Sequence, residues 1–340
     1  MHMKSLRGMK VLVTGADGFI GSHLCERLVR EGASVTALAL YNSFGTRGWL
    51  DTIDDDSLAA MTIVSGDVRD PHFVRAIADG MDVVFHLAAL IAIPYSYAAP
   101  ASYVDTNVSG TLNVLEACKA GGVGRLIHTS TSEVYGTAQF TPITEAHPLQ
   151  GQSPYSASKI GADYMVDAYF RSFGLPAVIL RPFNTFGPRQ SERAVIPTLI
   201  RQFLDPSCDE VRIGDLTPIR DFNYVEDTAD AFVKLACAAP EAIEFGTAYN
   251  AGSGRGVTIG ETADLIRGIV GSDKPLTTDE TRKRPTKSEV FELLADARRL
   301  GQVSGWSSEI GLEEGLARTV DWWREQIQSG KLRRDKGYLV

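Results

Sequence analysis

Two short stretches of this 340-residue chain hold reactive side chains at chemically useful spacings. The segment PYSASKIGADYMVDAYF carries Tyr155 and Lys159. Residues four apart on a helix share a face. An ammonium beside a phenol favours the phenolate and lowers the tyrosine pKa toward neutrality. A phenolate next to a nicotinamide can take a hydroxyl proton while hydride leaves the carbon. A surface tyrosine and a solvated lysine would show the same spacing, so the pair needs context. The segment HTSTSEVYG, residues 128–136, sets Thr129, Ser130, Thr131 and Ser132 directly before Glu133. Such side chains can cap the next turn. They can equally present hydroxyls and a carboxylate to a reacting molecule.

A third stretch supplies context. KVLVTGADGFIGSHLCERL spaces Gly15, Gly18 and Gly21 as G-x-x-G-x-x-G, with Phe19 and Ile20 between the last two. An apolar strand precedes the glycines and an amphipathic helix follows, which is the setting a dinucleotide turn requires. The glycines allow a tight turn and close backbone approach, and the helix N-terminus holds a pyrophosphate. An acidic residue for the ribose of NAD is expected about 20 residues on. The second strand instead ends Leu38-Ala39-Leu40-Tyr41-Asn42, without a carboxylate. Arg47 follows and could pair with a 2′-phosphate or be an ordinary surface arginine, so NAD and NADP both stand. Asp67, in SGDVRD after the third strand, could accept from an adenine amino group or serve its turn.

These residues need elements to position them. Strands are predicted at 10–15, 34–40, 61–67, 82–88, 125–130 and 177–182, with amphipathic helices between. That alternation predicts an α/β fold with a Rossmann-type doubly wound parallel sheet, whose ligands sit at the carboxyl ends of the strands. HTSTSE lies at such an end. Past residue 183 the rhythm breaks and glycine and proline thicken, in FNTFGPR, GDLTPIRD and AGSGRG. Residues 1–182 are read as the dinucleotide-binding domain, with 222–251 returning to it. Residues 183–340 are read as a smaller C-terminal substrate-binding lobe.

Composition narrows the function classes. Hydrophobic residues make up 44% and charged residues 22%, the balance of an ordinary soluble globular protein. The net charge of -8 and the lack of a Lys/Arg block argue against nucleic acid as a partner. Cys25, Cys118, Cys208 and Cys237 show no metal or redox spacing and read as reduced thiols of a cytoplasmic protein, with no metal expected. No apolar run approaches the ~18–20 residues of a membrane span. The leader MHMKSLRG is short and polar, unlike a signal peptide.

Taken together the motifs resemble the extended short-chain dehydrogenase/reductases of the NAD-dependent epimerase/dehydratase family, which act on nucleotide sugars. The segments that carry the resemblance are TGADGFIG, GDVRD, HLAA, DTNVSGTLNVLEA, TSTSEVYG, PYSASK, LRPFNTFGPR and RDFNYVEDTADA, in the family's order across nearly the whole chain. The resemblance implies a tightly bound NAD or NADP, regenerated each turnover. Its contacts would be Gly15, Gly18, Phe19, Ile20, Gly21, Asp67, Val68, Leu87, Ala88, Ala89, Tyr155 and Lys159. It implies catalytic roles for Thr131, Ser132, Glu133, Tyr155 and Lys159.

The chemistry implied is a 4,6-dehydration. Thr131 bonds the sugar O4 and Tyr155 takes its proton as the C4 hydride moves to the nicotinamide. Glu133 takes the C5 proton, which a C4 ketone acidifies. The C6 hydroxyl leaves as water and the hydride returns to C6. Many dehydratases carry Asp where this chain has Ser132, so Glu133 may act twice, as base and then as acid. Thr-Ser-Glu also occurs in UDP-glucuronate decarboxylases, and 4-epimerases tend to lack the glutamate. A non-catalytic dinucleotide sensor would be expected to lose Tyr155 or Lys159. PYSYAAPASYVDTN and TAQFTPITEAHPLQGQSPYSASK resemble N-acetylglucosamine 4,6-dehydratases of legionaminic-acid-type pathways, which implies a UDP- or GDP-linked amino sugar as partner. Ile91, Ile93, Pro94 and Tyr95 could wall an acetamido methyl or be core. Asn184, Val195, Arg220 and Arg284 are the implied substrate contacts, with Arg189 and Arg282 as further cationic forks. Homodimers through helices at about 102–120 and 155–173 are implied as well.

Overall fold

Each early strand of this chain is an apolar run, and in a computed structural model describing residues 5–279 and 290–330 those runs form one sheet. The first lobe contains β1 (Lys10–Thr14), α1 (Phe19–Arg30), β2 (Ser34–Leu40), α2 (Asp55–Ala59), β3 (Met61–Gly66), α3 (Pro71–Ala78), β4 (Val83–His86), α4 (Ile93–Ala98), α5 (Pro100–Tyr103), α6 (Gly110–Gly121), β5 (Arg125–Thr129), α7 (Pro154–Phe173) and β6 (Ala177–Pro182). Then come β7 (Asn184–Phe186), α8 (Val195–Leu204), β8 (Val211–Ile213), β9 (Ile219–Tyr224), α9 (Val225–Cys237), β10 (Ala248–Ala251), β11 (Gly256–Thr258), α10 (Ile259–Val270), β12 (Leu276–Thr278), β13 (Glu292–Leu293), α11 (Arg298–Ser304) and α12 (Leu312–Gln328).

The main sheet is parallel throughout, in the order β10-β6-β5-β4-β1-β2-β3. Strand order reverses between β1 and β4, and crevices at such a reversal hold ligands. Helices cover both faces, so β4 and β6 are buried along their whole length. One face packs Leu24 and Leu28 of α1 with Phe232 and Leu235 of α9. The other packs Val114 and Leu115 of α6 with Val166 of α7. This is the Rossmann-type α/β fold that the strand–helix alternation predicts. Several strands stop one or two residues before their predicted ends. There the chain peels off the sheet edge, at Gly15, Asp67, Leu87 and Ser130, to wall a cleft.

The remainder forms a second layer. β9 pairs with β7, β11 and β13, while β12 pairs with β8. Trp323 of α12 is fully buried there among Leu199, Phe203 and Ile266. The chain returns to the first lobe from Val225 onward, through α9 and β10. It returns again through Leu300 of α11 and Trp306, which join the core beside α1 and α9. Sequence periodicity offers no sign of that last return. The predicted helix over 102–120 exists as α5 and α6 joined by a π-helical turn, Val104–Ser109. Such turns displace side chains from regular helical register. No helix among the described residues is long and apolar enough to cross a membrane.

Candidate active site

A cleft of about 710 Å³ runs along the carboxyl ends of β1 to β6 and under the second lobe. Its first part is built from the glycine turn. Gly15 has φ +69°, and a Cβ there would lie 2.7 Å from the Ala88 nitrogen. A Cβ on Gly21 would lie 2.1 Å from the Gly15 carbonyl oxygen. Both positions therefore require glycine for α1 to start against β1 and β4. No side chain caps the α1 N-terminus, and its first turn carries no acid. Uncapped N–H groups and the positive end of the helix dipole suit a pyrophosphate. Thr14 Oγ1 holds the opposite wall, accepting from Leu87 N and Ala88 N at 3.1 and 3.2 Å. Gly18, Phe19, Ile20, Val68 and Ala89 complete this part of the lining. The cradle fits a dinucleotide.

The second part holds the reactive groups. β5 delivers its carboxyl end into a 3-10 turn, Ser132–Tyr135, and Thr131 Oγ1 caps that turn by accepting from Glu133 N at 3.2 Å. Thr131 thus caps a turn and lines the cleft together, with Ser132 and Glu133 beside it. α7 starts at a capping box on Ser153 with Pro154 in the first turn, which sets Tyr155 and Lys159 on the cleft side. The Thr131 hydroxyl hydrogen-bonds the Tyr155 phenol. The Tyr155 ring also packs edge-on against Tyr103, 6.2 Å between centroids.

The tyrosine pKa departs from expectation. Burial raises the Tyr155 phenol above its usual value; the Thr131 bond opposes this, and the Glu133 charge adds to it. The expected lowering by Lys159 is therefore absent. The physical reason is burial of the phenol; Lys159 Nζ itself donates to the Thr129 carbonyl at 2.6 Å. Burial in turn lowers Lys159 to about 8, with Asp163 opposing.

A glycine-rich turn, a hydroxyl, a carboxylate and a Tyr-x-x-x-Lys pair in one cleft make a nicotinamide-dependent enzyme architecture. The sequence profile of the GDP-mannose 4,6 dehydratase family matches residues 12–319. The chain belongs to this family. Among relatives of this family member, a UDP-glucose 4-epimerase of Mycolicibacterium smegmatis is 31% identical, covering 94% of this chain and 100% of the relative. A dTDP-glucose 4,6-dehydratase from Streptomyces venezuelae, solved with NAD and TYD bound, superposes with TM-score 0.82 at 29% identity, covering 94% of this chain and 98% of that one. A UDP-N-acetylglucosamine 4-epimerase from Methanobrevibacter ruminantium, in complex with UDP-N-acetylmuramic acid, gives TM-score 0.84 at 32% identity, covering 94% and 99%. These relatives are one nucleotide-sugar 4,6-dehydratase, solved with NAD bound, and two nucleotide-sugar 4-epimerases, so this family member is an enzyme.

Beneath the cleft of this dehydratase-family chain lies a buried polar layer that the motifs do not reveal. Ser130 Oγ donates to Asp163 Oδ2 at 2.9 Å, and Arg181 donates to the same oxygen through Nε and Nη2 at 3.1 and 2.9 Å. Arg181 Nη1 donates to the Tyr135 hydroxyl at 2.9 Å, which donates to Asn250 Oδ1 at 2.7 Å. Asn107, on the π-helical turn, donates to Leu90 O and Ser158 Oγ, each at 2.9 Å. Ser130, left without a role by sequence reasoning, thus ties the catalytic strand end to α7.

Other predicted residues are placed differently. Asn184 lines the cleft, and its Oδ1 is buried without a hydrogen-bond partner. Thr129 Oγ1 and Gln190 Oε1 share both properties. Gln190 had no sequence signal beyond its place after GPR. Val195 opens α8 and packs on the second-lobe core, although its neighbour Ala194 lines the cleft. Arg220 is buried on β9, donates to Ile219 O at 3.0 Å, and is not part of the lining. Arg189 is not a diphosphate fork here: its guanidinium pairs with Glu26 and contacts His23 at 3.1 Å, tying the second lobe to α1. Arg47 is not part of the lining, and its Nε donates to Asp51 Oδ1 at 2.7 Å in an exposed ion pair. Asp67 lines the cleft with its carboxylate held by Arg69. Ile91, Ile93 and Tyr95 line it too, whereas Pro94 does not. Arg282 and Arg284 lie outside the described residues. Among the described residues, no group of three or more His, Cys, Asp or Glu could hold a metal ion.

Proposed function

We propose that the protein is a nucleotide-sugar 4,6-dehydratase that turns a UDP- or GDP-linked hexose, N-acetylglucosamine by preference, into its 4-keto-6-deoxy product. The observation that carries this reading is Glu133 on the turn that Thr131 caps, in one cleft with Tyr155 and Lys159. A bound nicotinamide supplies the acceptor and donor of the hydride that leaves C4 and returns at C6. Thr131 orients the C4 hydroxyl and Tyr155 removes its proton; because burial and Glu133 raise the phenol, this role needs the positive charge that a bound oxidised nicotinamide would place beside it. Lys159, anchored on the Thr129 carbonyl, keeps a positive charge below its pKa of about 8 behind that step. Glu133 takes the C5 proton and the resulting carboxylic acid protonates the departing C6 oxygen, so water leaves; as hydride reaches C6, solvent returns a proton to C5, matching the proton that Tyr155 gives up to solvent. Ser132 stands where an acid would otherwise be found and is proposed to orient that leaving oxygen.

The buried acceptors Thr129 Oγ1, Asn184 Oδ1 and Gln190 Oε1 suit a sugar, because an unpaired buried oxygen is costly until a hydroxyl donates to it. Ile93 and Tyr95 offer apolar surface for an acetamido methyl. Val195, next to the lining residue Ala194, is proposed near the nucleotide base. Residues 1–182 with the 222–251 return are proposed as the dinucleotide domain and the rest of 183–340, apart from the return at Leu300 and Trp306, as the substrate lobe. A cytoplasmic homodimer is proposed through the faces of α6 and α7, with Val104, Tyr164 and Phe173 exposed nearby. Four free cysteines agree with a reducing compartment.

A 4-epimerase is the second reading, favoured by the 31% identity to a full-length 4-epimerase. UDP-glucuronate decarboxylation is the third. The test is incubation of the purified protein with UDP- and GDP-N-acetylglucosamine, and separately with UDP-glucuronate, without added cofactor. Mass spectrometry showing loss of one water supports the dehydratase. Loss of CO2 from the glucuronate points to decarboxylation. Unchanged mass with an altered sugar configuration points to epimerisation.

A further inference from the structure

The cofactor end of the cleft lacks an acidic residue on β2, which ends Leu38-Ala39-Leu40 before Tyr41-Asn42. The fold brings one there from a different segment. Asp17, inside the glycine turn, lies against the end of β2, and its Oδ2 accepts from Leu40 N at 3.1 Å. Its carbonyl accepts from Trp49 N at 3.0 Å, so the chain after β2 folds back onto it. Gly48 makes that approach possible: its φ is +57°, and a Cβ there would lie 2.4 Å from the Asp17 oxygen. Asp17 lines the cleft beside Leu40, Gly66 and Asp67. A carboxylate therefore stands at the carboxyl end of β2 although that strand supplies none.

Both nearby cations have carboxylate partners. Arg69 lines the cleft, but its Nε donates to both Asp67 carboxylate oxygens at 3.0 Å. Arg47 is bound by Asp51 through Nε at 2.7 Å and through its own backbone N at 2.8 Å. Two carboxylates and one guanidinium thus border this end, and with Arg69 paired to Asp67 the uncompensated charge is that of Asp17. A ribose hydroxyl donates to a carboxylate, whereas a dianionic phosphate placed there meets like charge.

We propose that Asp17 is a specificity-determining residue of the dinucleotide site, accepting from the adenosine ribose and disfavouring a 2′-phosphate, so that the protein takes NAD over NADP. The inference rests on the dinucleotide reading of the cleft and not on which sugar reaction follows.

The test is calorimetric titration of the full chain, stripped of nucleotide, with NAD and with NADP. Wild type is expected to bind NAD at least about tenfold more tightly, the scale of one unfavourable charge contact in a partly solvated cleft. Asp17→Asn keeps an oxygen for the Leu40 N–H and removes the charge. It should narrow the ratio several-fold, chiefly by improved NADP binding. Equal or tighter NADP binding by wild type overturns the proposal, as does an Asn variant with the wild-type ratio, which would leave Asp17 a loop clamp only. If that variant does not fold, wild type still decides. Charge rejection must weaken between low and high salt, so an NAD/NADP ratio indifferent to salt contradicts it. Binding of neither nucleotide would sink the dinucleotide site itself, while a failed water-loss assay leaves the ratio standing.

Discussion

Glu133 is the residue on which the reaction turns. It follows a strand end with two hydroxyls already employed: Ser130 on Asp163, Thr131 on the Glu133 N–H and the Tyr155 phenol. Glu133→Gln keeps size and polarity but cannot take a proton. It should lower water loss by at least about 10²-fold, the usual worth of a general base. Dinucleotide content, read by mass spectrometry after denaturation, should not change. Lys159 makes a stability prediction with a definite sign. Burial lowers it to about 8 in the folded chain against 10.5 when unfolded. Between those values the unfolded chain binds more protons, so Lys159 makes stability rise with pH from about 8 to 10. The slope is at most about 1.4 kcal/mol per pH unit. Urea midpoints across that range should rise in wild type and flatten in Lys159→Met.

At the scale of elements, the junction of β1, the glycine turn and α1 governs cofactor binding. Gly21 has no room for a side chain, since its Cβ would sit 2.1 Å from the Gly15 oxygen. Gly21→Ala must push α1 away from the turn and displace its N–H groups. A loss of stability of about 1–3 kcal/mol is expected from such overpacking. Dinucleotide affinity should fall by more than stability alone accounts for, which parallel thermal melts and nucleotide titrations would reveal. Gly18, whose Cβ would meet only the Gly15 oxygen at 3.2 Å, should tolerate alanine better.

The whole molecule is organised around buried polar chains that link the sheet to the site. Burial lowers His23 to about 3 and His128 to about 4, with Arg189 and Lys159 respectively adding to the effect, and burial lowers His86 as well. All three are neutral in the folded chain and titrate near 6.5 when unfolded. Unfolded protein therefore binds more protons as pH falls below 6.5. Their contribution to stability is complete above that value and is lost progressively down to about 4. Each can add up to about 1.4 kcal/mol per pH unit. Chemical denaturation between pH 7 and 4.5 should show this steep loss, and His128→Gln should make it shallower. Asp163→Asn tests the ionic centre. It leaves Arg181 charged and buried without its carboxylate and should cost about 3–5 kcal/mol. Sedimentation measurements address the proposed dimer: an α7 variant with Tyr164→Glu and Phe173→Glu should shift it to monomer without loss of fold.

Much of this protein is determined by local sequence. Apolar runs alternating with amphipathic helices specify a parallel sheet because both of its faces must be covered. The glycine spacing specifies a dinucleotide turn because only glycine tolerates φ +69° at residue 15 and backbone contact at residue 21. Tyr155 and Lys159 share a helix face for the simple reason that they are four apart. What sequence could not decide depends on contacts between distant segments. The ammonium of Lys159 is anchored by a carbonyl 30 residues earlier, and burial raises the Tyr155 phenol, so the expected lowering does not occur. Arg189 and Arg47 look like anion ligands in sequence, but each is claimed by a carboxylate of its own, Glu26 and Asp51. Asp17 gains a role only when β2 is laid beside it. Pairing of charges, and the burial that shifts them, are properties of where segments meet, and only the tertiary structure decided those.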